Sequence, residues 1–61
     1  MFTLTIHTDN DAFLRHRSEE IGRILERLAR DVMDVRLRDG DSFSLRDING
    51  NTVGTAEFTN D

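Results

Sequence analysis

Apolar and polar residues alternate strictly at the start of the chain. Phe2, Leu4 and Ile6 fall on one face, with threonine or histidine at the positions between and after them. A period of two is typical of a β-strand with one buried face, and β-branched threonines suit its wet face. We therefore predict a first strand over residues 2–8. The turn-forming triplet at residues 9–11 ends it.

A stripe of five apolar residues follows at the spacing of one helix face. Its members are Ile21, Ile24, Leu25, Leu28 and Val32. Ser18 precedes Glu19 and Glu20, an order typical of a helix start, with a hydroxyl N-cap followed by carboxylates at the positive end of the dipole. We expect the helix to begin at Ser18 and to end near Asp34. A short apolar patch at residues 12–14 is expected to cover the edge of the core.

The last third of the chain is predicted to be a β-hairpin. Asn49 and Gly50 stand between two runs of strand character, residues 43–48 and 52–59. Asn-Gly is the strongest short-range hairpin signal, because both residues accept the positive φ that a tight reversal requires. Residues 35–38, before this hairpin, fit either a last helical turn or a short extra strand.

The hairpin contains a conflict between the two faces of the sheet. A two-residue turn puts four apolar side chains on one face: Phe43, Leu45, Ala56 and Phe58. The same turn puts Ile48 and Val53 on the opposite face. Gly54 indicates a bulge or sharp twist that would correct the conflict.

The order of elements is strand, helix, strand, strand. A right-handed crossover through the helix makes the first two strands parallel, with the third between them. We therefore predict an α+β fold, a single βαββ domain over residues 1–61, with an antiparallel sheet in the order 1-3-2 and the helix across one face. The predicted core consists of Phe2, Leu4, Ile6, Ile21, Ile24, Leu25, Leu28, Val32, Phe43, Leu45 and Phe58.

Composition limits how such a fold is stabilised. The chain has 61 residues and no cysteine, so neither disulfides nor thiolate metal sites are expected. No run approaches the roughly 20 apolar residues that span a bilayer, and no signal peptide opens the chain. We expect a cytoplasmic protein whose one small core is helped by a partner or a second copy.

The charge is unevenly distributed along the chain. The formal net charge is −4, and residues 39–61 hold one arginine against five acidic residues: Asp39, Asp41, Asp47, Glu57 and Asp61. This distribution argues against direct nucleic-acid binding, which needs a basic footprint. It suits a basic protein partner. We take these five carboxylates as candidate partner-binding residues, with ordinary solvated charge as the alternative.

The candidate metal and catalytic sites are incomplete. Asp47, Asn49 and Asn51 match the first three ligand positions of an EF-hand loop, but its required glycine and bidentate glutamate are missing. His7 and His16 match no zinc ligand set. No serine stands in a nucleophile motif, there is no glycine-rich phosphate loop, and so short a chain has little room for a pocket. We predict no enzyme activity, no cofactor and no metal.

Three segments carry a resemblance to a known family. They read TDNDAF at residues 8–13, EIGRIL at 20–25 and LRDINGNTVG at 45–54. Together they resemble a family of small phage and prophage proteins, in which we expect a TDNxAF opening, an EIxRIL helix and an LRDxNGNxVG close. The chain departs from that pattern at residues 35–41. The resemblance transfers no functional residue.

The resemblance implies a phage accessory protein, and some such proteins of this size and acidity are anti-CRISPR proteins. The expected function is inhibition of a host defence complex, with a CRISPR effector subunit as partner, by occlusion or DNA mimicry at the acidic hairpin. The alternative is a small assembly module that acts as a homodimer. Its interface would be an exposed strand edge or the second sheet face, where Ile48 and Val53 are expected.

Overall fold

The structure, a computed structural model, describes residues 1–60 as one long helix and a three-stranded antiparallel sheet. The elements are β1 (Phe2–Ile6), a 3₁₀ helix (Asp11–Phe13), α1 (Arg17–Met33), β2 (Ser42–Arg46) and β3 (Thr52–Phe58). Strand order in the sheet is β1-β3-β2. The predicted βαββ architecture and its sheet order are confirmed.

The N-cap of helix α1 lies two residues before the predicted one. His16 is the N-cap residue, its carbonyl accepts a hydrogen bond from Glu20 N at 2.9 Å, and no side chain caps the helix. Ser18 therefore lies inside the first turn, and its predicted role as N-cap is wrong. The C-terminal end at Asp34 is confirmed. Glu19 and Glu20 occupy the first turn, where carboxylates interact favourably with the helix dipole.

Residues 35–38 form neither a further helical turn nor a strand. The segment is closed instead by Asp41, whose Oδ2 accepts from Arg38 N at 2.9 Å and whose N donates to the Arg38 carbonyl at 3.0 Å. Gly40 lies inside this small loop with a φ of 89°. The N–H and carbonyl of Arg38, which a strand would need for pairing, thus form hydrogen bonds within the loop.

The hairpin turn differs from the predicted two-residue form. Asp47 N donates to the Asn51 carbonyl at 2.9 Å, and Gly50 N donates to the Asp47 carbonyl at 3.0 Å. Only Gly50 has a positive φ, 84°, whereas Asn49 does not. The loop therefore contains three residues, 48–50, which is the arrangement of a type I turn followed by a left-handed glycine.

A β-bulge resolves the conflict between the two faces of the hairpin. Leu45 pairs with Gly54 and Arg46 pairs with Thr52, so Val53 is the extra residue of β3. The bulge turns the Val53 side chain into the core, where it is buried. The irregularity predicted at Gly54 is confirmed, but the placement of Val53 on the outer face is wrong.

The core is smaller than predicted and lies toward β2 and β3. Its buried members are Phe13, Ile24, Leu28, Leu45, Val53 and Ala56. Phe13, expected at the edge, is only 1% exposed, whereas Phe2 and Leu4, expected inside, are 42% and 39% exposed. Leu25 is exposed as well. Because α1 packs on β2 and the 3₁₀ helix, Phe2 and Leu4 on the inner face of β1 stay partly exposed, whereas Ile6 packs against the core.

Candidate functional site

A buried carboxylate of α1 bonds with the hairpin turn. Glu20 is 6% exposed, and its Oε2 accepts a hydrogen bond from Ile48 N at 2.7 Å. Arg23, one turn further along, donates from Nε to Glu20 Oε1 at 2.7 Å. The hydrogen bond from Arg23 lowers the pKa of Glu20, and the Ile48 amide adds to it against the opposing effect of burial. Glu20 is thus ionised at neutral pH and satisfied.

A second buried carboxylate organises the turn from within. Asp47 is 4% exposed, and its Oδ1 accepts from the amides of Asn49 and Asn51, both at 2.9 Å. Its Oδ2 accepts from Asn51 Nδ2 at 3.1 Å and from Asn10 Nδ2 at 2.8 Å. Burial acts to raise the pKa of Asp47, but these hydrogen bonds outweigh it and lower the pKa.

These two carboxylates and their partners form the turn cluster, which consists of Asn10, Glu20, Arg23, Asp47 and Asn51. Its hydrogen bonds join the loop after β1, the first turns of α1 and the hairpin. Both carboxylates accept from N–H groups, so their oxygens are occupied by protein donors. Among residues 1–60, no group of three or more histidine or acidic side chains has the geometry to hold a metal. The turn cluster therefore stabilises the fold by holding these three segments together.

The five candidate partner-binding carboxylates do not form one surface. Asp47 lies buried in the turn cluster, so its predicted place on an exposed ridge is wrong. Asp39, Asp41 and Glu57 lie at the opposite end of the sheet. We call these three residues the acidic end. Asp61 lies outside the described residues.

The acidic end surrounds the last residues of β3. Asp41 accepts from Phe58 N through its carbonyl at 2.9 Å, Asp39 Oδ1 accepts from Asn60 N at 2.9 Å, and Glu57 pairs with Ser42. The close contacts between basic and acidic side chains found within residues 1–60 join other groups: His16 with Glu19, Arg23 with Glu20, and Arg27 with Asp31. None of these contacts includes Asp39, Asp41 or Glu57.

A shallow depression lies between α1 and β2. Its volume is about 180 Å³, and Arg23, Arg27, Asp31, Ser44 and Arg46 provide its polar lining. This volume is below the few hundred Å³ of a usual ligand pocket. Ser44 has no histidine beside it in that lining. Nothing in the depression resembles a nucleophile with its base.

The outer face of the sheet is polar. Its exposed side chains come from alternate positions of the three strands: Thr3, Thr5, Ser42, Ser44, Thr55 and Glu57. Val53 is absent from this face because of the bulge, and Ile48 lies in the turn beyond the strands. Ile48 and Val53 therefore do not lie on the second sheet face, where they were expected.

The outer edge of β1 has unpaired strand groups next to apolar side chains. β1 lies at the margin of the sheet and pairs only with β3. Thr59 N donates to the Met1 carbonyl at 2.8 Å, and His7 N donates to the Val53 carbonyl at 2.7 Å. Because bonded residues alternate along an antiparallel pair, odd-numbered residues bond with β3. The outward groups, which we call the free edge of β1, belong to Phe2, Leu4 and Ile6.

The side chains beside this edge are apolar and partly exposed. Leu4 pairs with the fully buried Ala56 and so shares the inner face of the sheet with it. β1 contains no charged residue, no proline and no bulge. At the other edge strand, Arg23 Nη2 donates to the Arg46 carbonyl at 3.1 Å, so charged side chains accompany β2. The edge of β1 lacks these usual protections against pairing.

The sequence predicts an exposed strand edge as an alternative interface without indicating β1, and it does not single out Glu20. The edge was detectable as an alternating, uncharged strand at the margin of the predicted sheet. A glutamate in the first helical turn three residues before an arginine is a common exposed pair. Its burial depends on the position of the Ile48 amide, which is set by the bulged hairpin.

Comparisons with known proteins give no relative: no family model, curated protein or solved structure matches this chain. The resemblance of its three segments to small phage and prophage proteins therefore stays a prediction. No helix within the described residues is long and apolar enough to cross a membrane.

Proposed function

We propose that this chain is a non-catalytic binding module that takes up a strand of a protein partner along the free edge of β1. The observation that carries the proposal is the coincidence of outward main-chain groups with exposed apolar side chains. Phe2 and Leu4 are about two-fifths exposed on the inner face beside those groups. Strand addition uses main-chain hydrogen bonds for affinity and alternate side chains for specificity.

The occupied polar groups support a role in binding and not in catalysis. Glu20 and Asp47 are the buried acidic residues, and both have a pKa lowered by hydrogen bonds from arginine or amide donors. A general acid or base needs a pKa near the working pH and a free proton position. These two carboxylates have neither, and they brace the hairpin instead.

The proposal is tested by amide NMR on dilute protein. A synthetic peptide of alternating valine and threonine, unrelated to β1, serves as the strand probe. We expect its addition to shift the amide signals of Phe2, Leu4 and Ile6 and to slow their exchange with solvent. Leu4→Glu should weaken the response, because it puts a charge on the apolar face beside the edge. Ile48→Glu, an equal change at an exposed site in the turn, is the matched control. Amide signals of Phe2, Leu4 and Ile6 that do not respond to the peptide would refute the proposal.

The acidic end favours a second candidate function, inhibition of a host complex through a basic surface of a partner. Its support is the concentration of Asp39, Asp41 and Glu57 at one end with no ion pair from the described chain. The test is capture of a purified CRISPR effector complex by tagged protein. The variant Asp39→Arg/Glu57→Arg should lose capture, and Glu26→Arg/Asp31→Arg on α1 controls for net charge. Equal capture by both variants would exclude the acidic end as the surface that contacts the complex.

A further inference from the structure

We infer that the strand received by the free edge of β1 is β1 of a second copy of this chain, antiparallel about a two-fold axis at Leu4. The inference rests on the proposed function, because it names the partner of that same edge. It draws on two independent features of β1: the phase of its outward hydrogen-bonding groups and the symmetry of its sequence.

The phase of the main-chain groups fits a two-fold axis at Leu4. Two identical antiparallel strands exchange N–H···O bonds only between residues whose groups point outward. The outward residues are Phe2, Leu4 and Ile6, and Leu4 is the middle one. An axis between the two copies of Leu4 pairs Phe2 of each copy with Ile6 of the other. Each of the three residue pairs then forms two hydrogen bonds.

The side chains of β1 are self-complementary in this register. On the inner face Phe2 meets Ile6 of the second copy and Leu4 meets Leu4, while on the outer face Thr3 meets Thr5. Apolar pairs and threonine pairs directly across two strands are stabilising. A shift by one residue would place each inner-face side chain opposite an outer-face one and break the hydrogen-bond phase.

The charges of the chain agree with an antiparallel arrangement. β1 carries no charge, so the joined strands bring no like charges together. The acidic end lies beside the start of β1, because Glu57 pairs with Thr3. Antiparallel joining therefore places the two acidic ends at opposite ends of the assembly, where their mutual repulsion is weakest.

The joined molecule would have a continuous six-stranded sheet in the order β2-β3-β1-β1-β3-β2. A two-fold axis perpendicular to the sheet puts both α1 helices on one face. The exposed side chains of Phe2 and Leu4 then lie in the space between the two helices. Their exposure in a single copy is accounted for by this second copy, since a chain of this size gains much from added burial.

The test measures the mass of the full chain across a broad concentration range by sedimentation equilibrium. We expect the 7.0 kDa monomer to convert to a species of twice that mass. Leu4→Glu and Leu4→Arg should each raise the dissociation constant of the dimer roughly tenfold or more, because like charges then meet across the axis. Their equal mixture should restore the dimer, because the opposite charges meet at the same position. Ile48→Glu should dimerise like the wild type. Amide spectra establish that each variant is folded.

The outcomes separate the two proposals. A wild-type chain that stays monomeric, while its edge still takes up the valine-threonine peptide, would overturn the second copy as partner and leave strand binding intact. A dimer unaffected by Leu4→Glu, or a mixture that fails to restore it, would overturn the Leu4 axis. A chain that neither dimerises nor takes up the peptide would overturn both.

Discussion

Asn10 donates from Nδ2 to Asp47 Oδ2 at 2.8 Å and so joins two loops that lie 37 positions apart in the chain. The same Asn10 side chain accepts from Ala12 N at 3.0 Å and caps the 3₁₀ helix. One amide thus uses its donor for the hairpin and its acceptor for the short helix. Phe13, the most deeply buried large side chain, follows directly in that helix.

The first prediction tests this bond with a nearly isosteric change. Asn10→Asp keeps an oxygen for Ala12 N but loses the donor and places a second carboxylate beside Asp47. We expect the melting temperature at neutral pH to fall by roughly 10 °C, since bonds to charged groups are among the stronger ones. Asn49→Asp, the same exchange at an exposed position of the turn, is the control. Equal melting temperatures of the two variants would show that the bond contributes little.

The second prediction concerns acid. The pKa values of Glu20 and Asp47 are both lowered in the folded chain, so the unfolded chain binds protons at a higher pH than the folded one. Their stabilising effect is therefore complete above the unfolded pKa values, roughly 4, and is lost as pH falls through the lowered folded values. Thermal unfolding followed by circular dichroism should show a plateau near neutral pH and a decline in acid. Glu20→Gln should reduce the decline. A wild-type melting temperature that stays constant into strong acid would contradict this account.

The third prediction compares two glycines. A Cβ at Gly54 would overlap the Thr5 carbonyl of the neighbouring strand, whereas a Cβ at Gly22 in α1 meets no atom within 4 Å. Gly54→Ala should destabilise the fold by about 1–3 kcal/mol, because backbone must move. Gly22→Ala should stabilise it by about 0.5–1 kcal/mol through lower chain entropy in the unfolded state. Urea unfolding measures both, and the same sign for the two variants would be inconsistent with these contacts.

The fourth prediction concerns the revised core. Phe13→Ala should lower the free energy of unfolding by about 3–5 kcal/mol. This is comparable to the whole stability expected of so small a domain, so most molecules of the variant should be unfolded. The neighbouring Leu14 is exposed, and Leu14→Ala should change stability by less than about 0.5 kcal/mol. Circular dichroism at room temperature distinguishes a folded from an unfolded variant. A well-folded Phe13→Ala protein would show that the core is not centred on Phe13.

The architecture was predictable because each element has a local signal. The period of two in β1, the helical stripe from Ile21 to Val32 and the Asn49-Gly50 reversal each specify one element, and short connections leave few ways to join them. The sheet order follows from the crossover. These features depend on residues close together in the chain.

The faces of the last hairpin were not predictable in the same way. A bulge changes which side of the sheet every following residue occupies, and Gly54 signals a bulge without fixing the extra residue. The structure assigns that place to Val53, which brings Val53 and Ala56 into the core together. The exposure of Phe2 and Leu4 depends on where α1 lies across the sheet, which no periodicity encodes.

The burial of Asp47 was not predictable for a similar reason. The local sequence shows Asp47 as one of several acidic residues near turns. In the folded chain, Asp47 bonds with Asn10, which precedes α1 in the sequence, and with the amides of its own turn. These contacts account for its burial. Asp39 and Asp41 remain in a surface loop as expected. A side chain that organises a turn and one that faces a partner look alike until the turn is folded.

The position of β3 at the centre of the sheet has a consequence for synthesis of the chain on the ribosome. β3 pairs with both other strands, yet it is translated after them. Helix α1 can form as soon as it leaves the exit tunnel, but β1 and β2 have no neighbour to pair with until residues 52–58 emerge. The uncharged β1 strand therefore stays unpaired until residues 52–58 are translated, and on a polysome it lies within reach of the same strand in the next nascent chain.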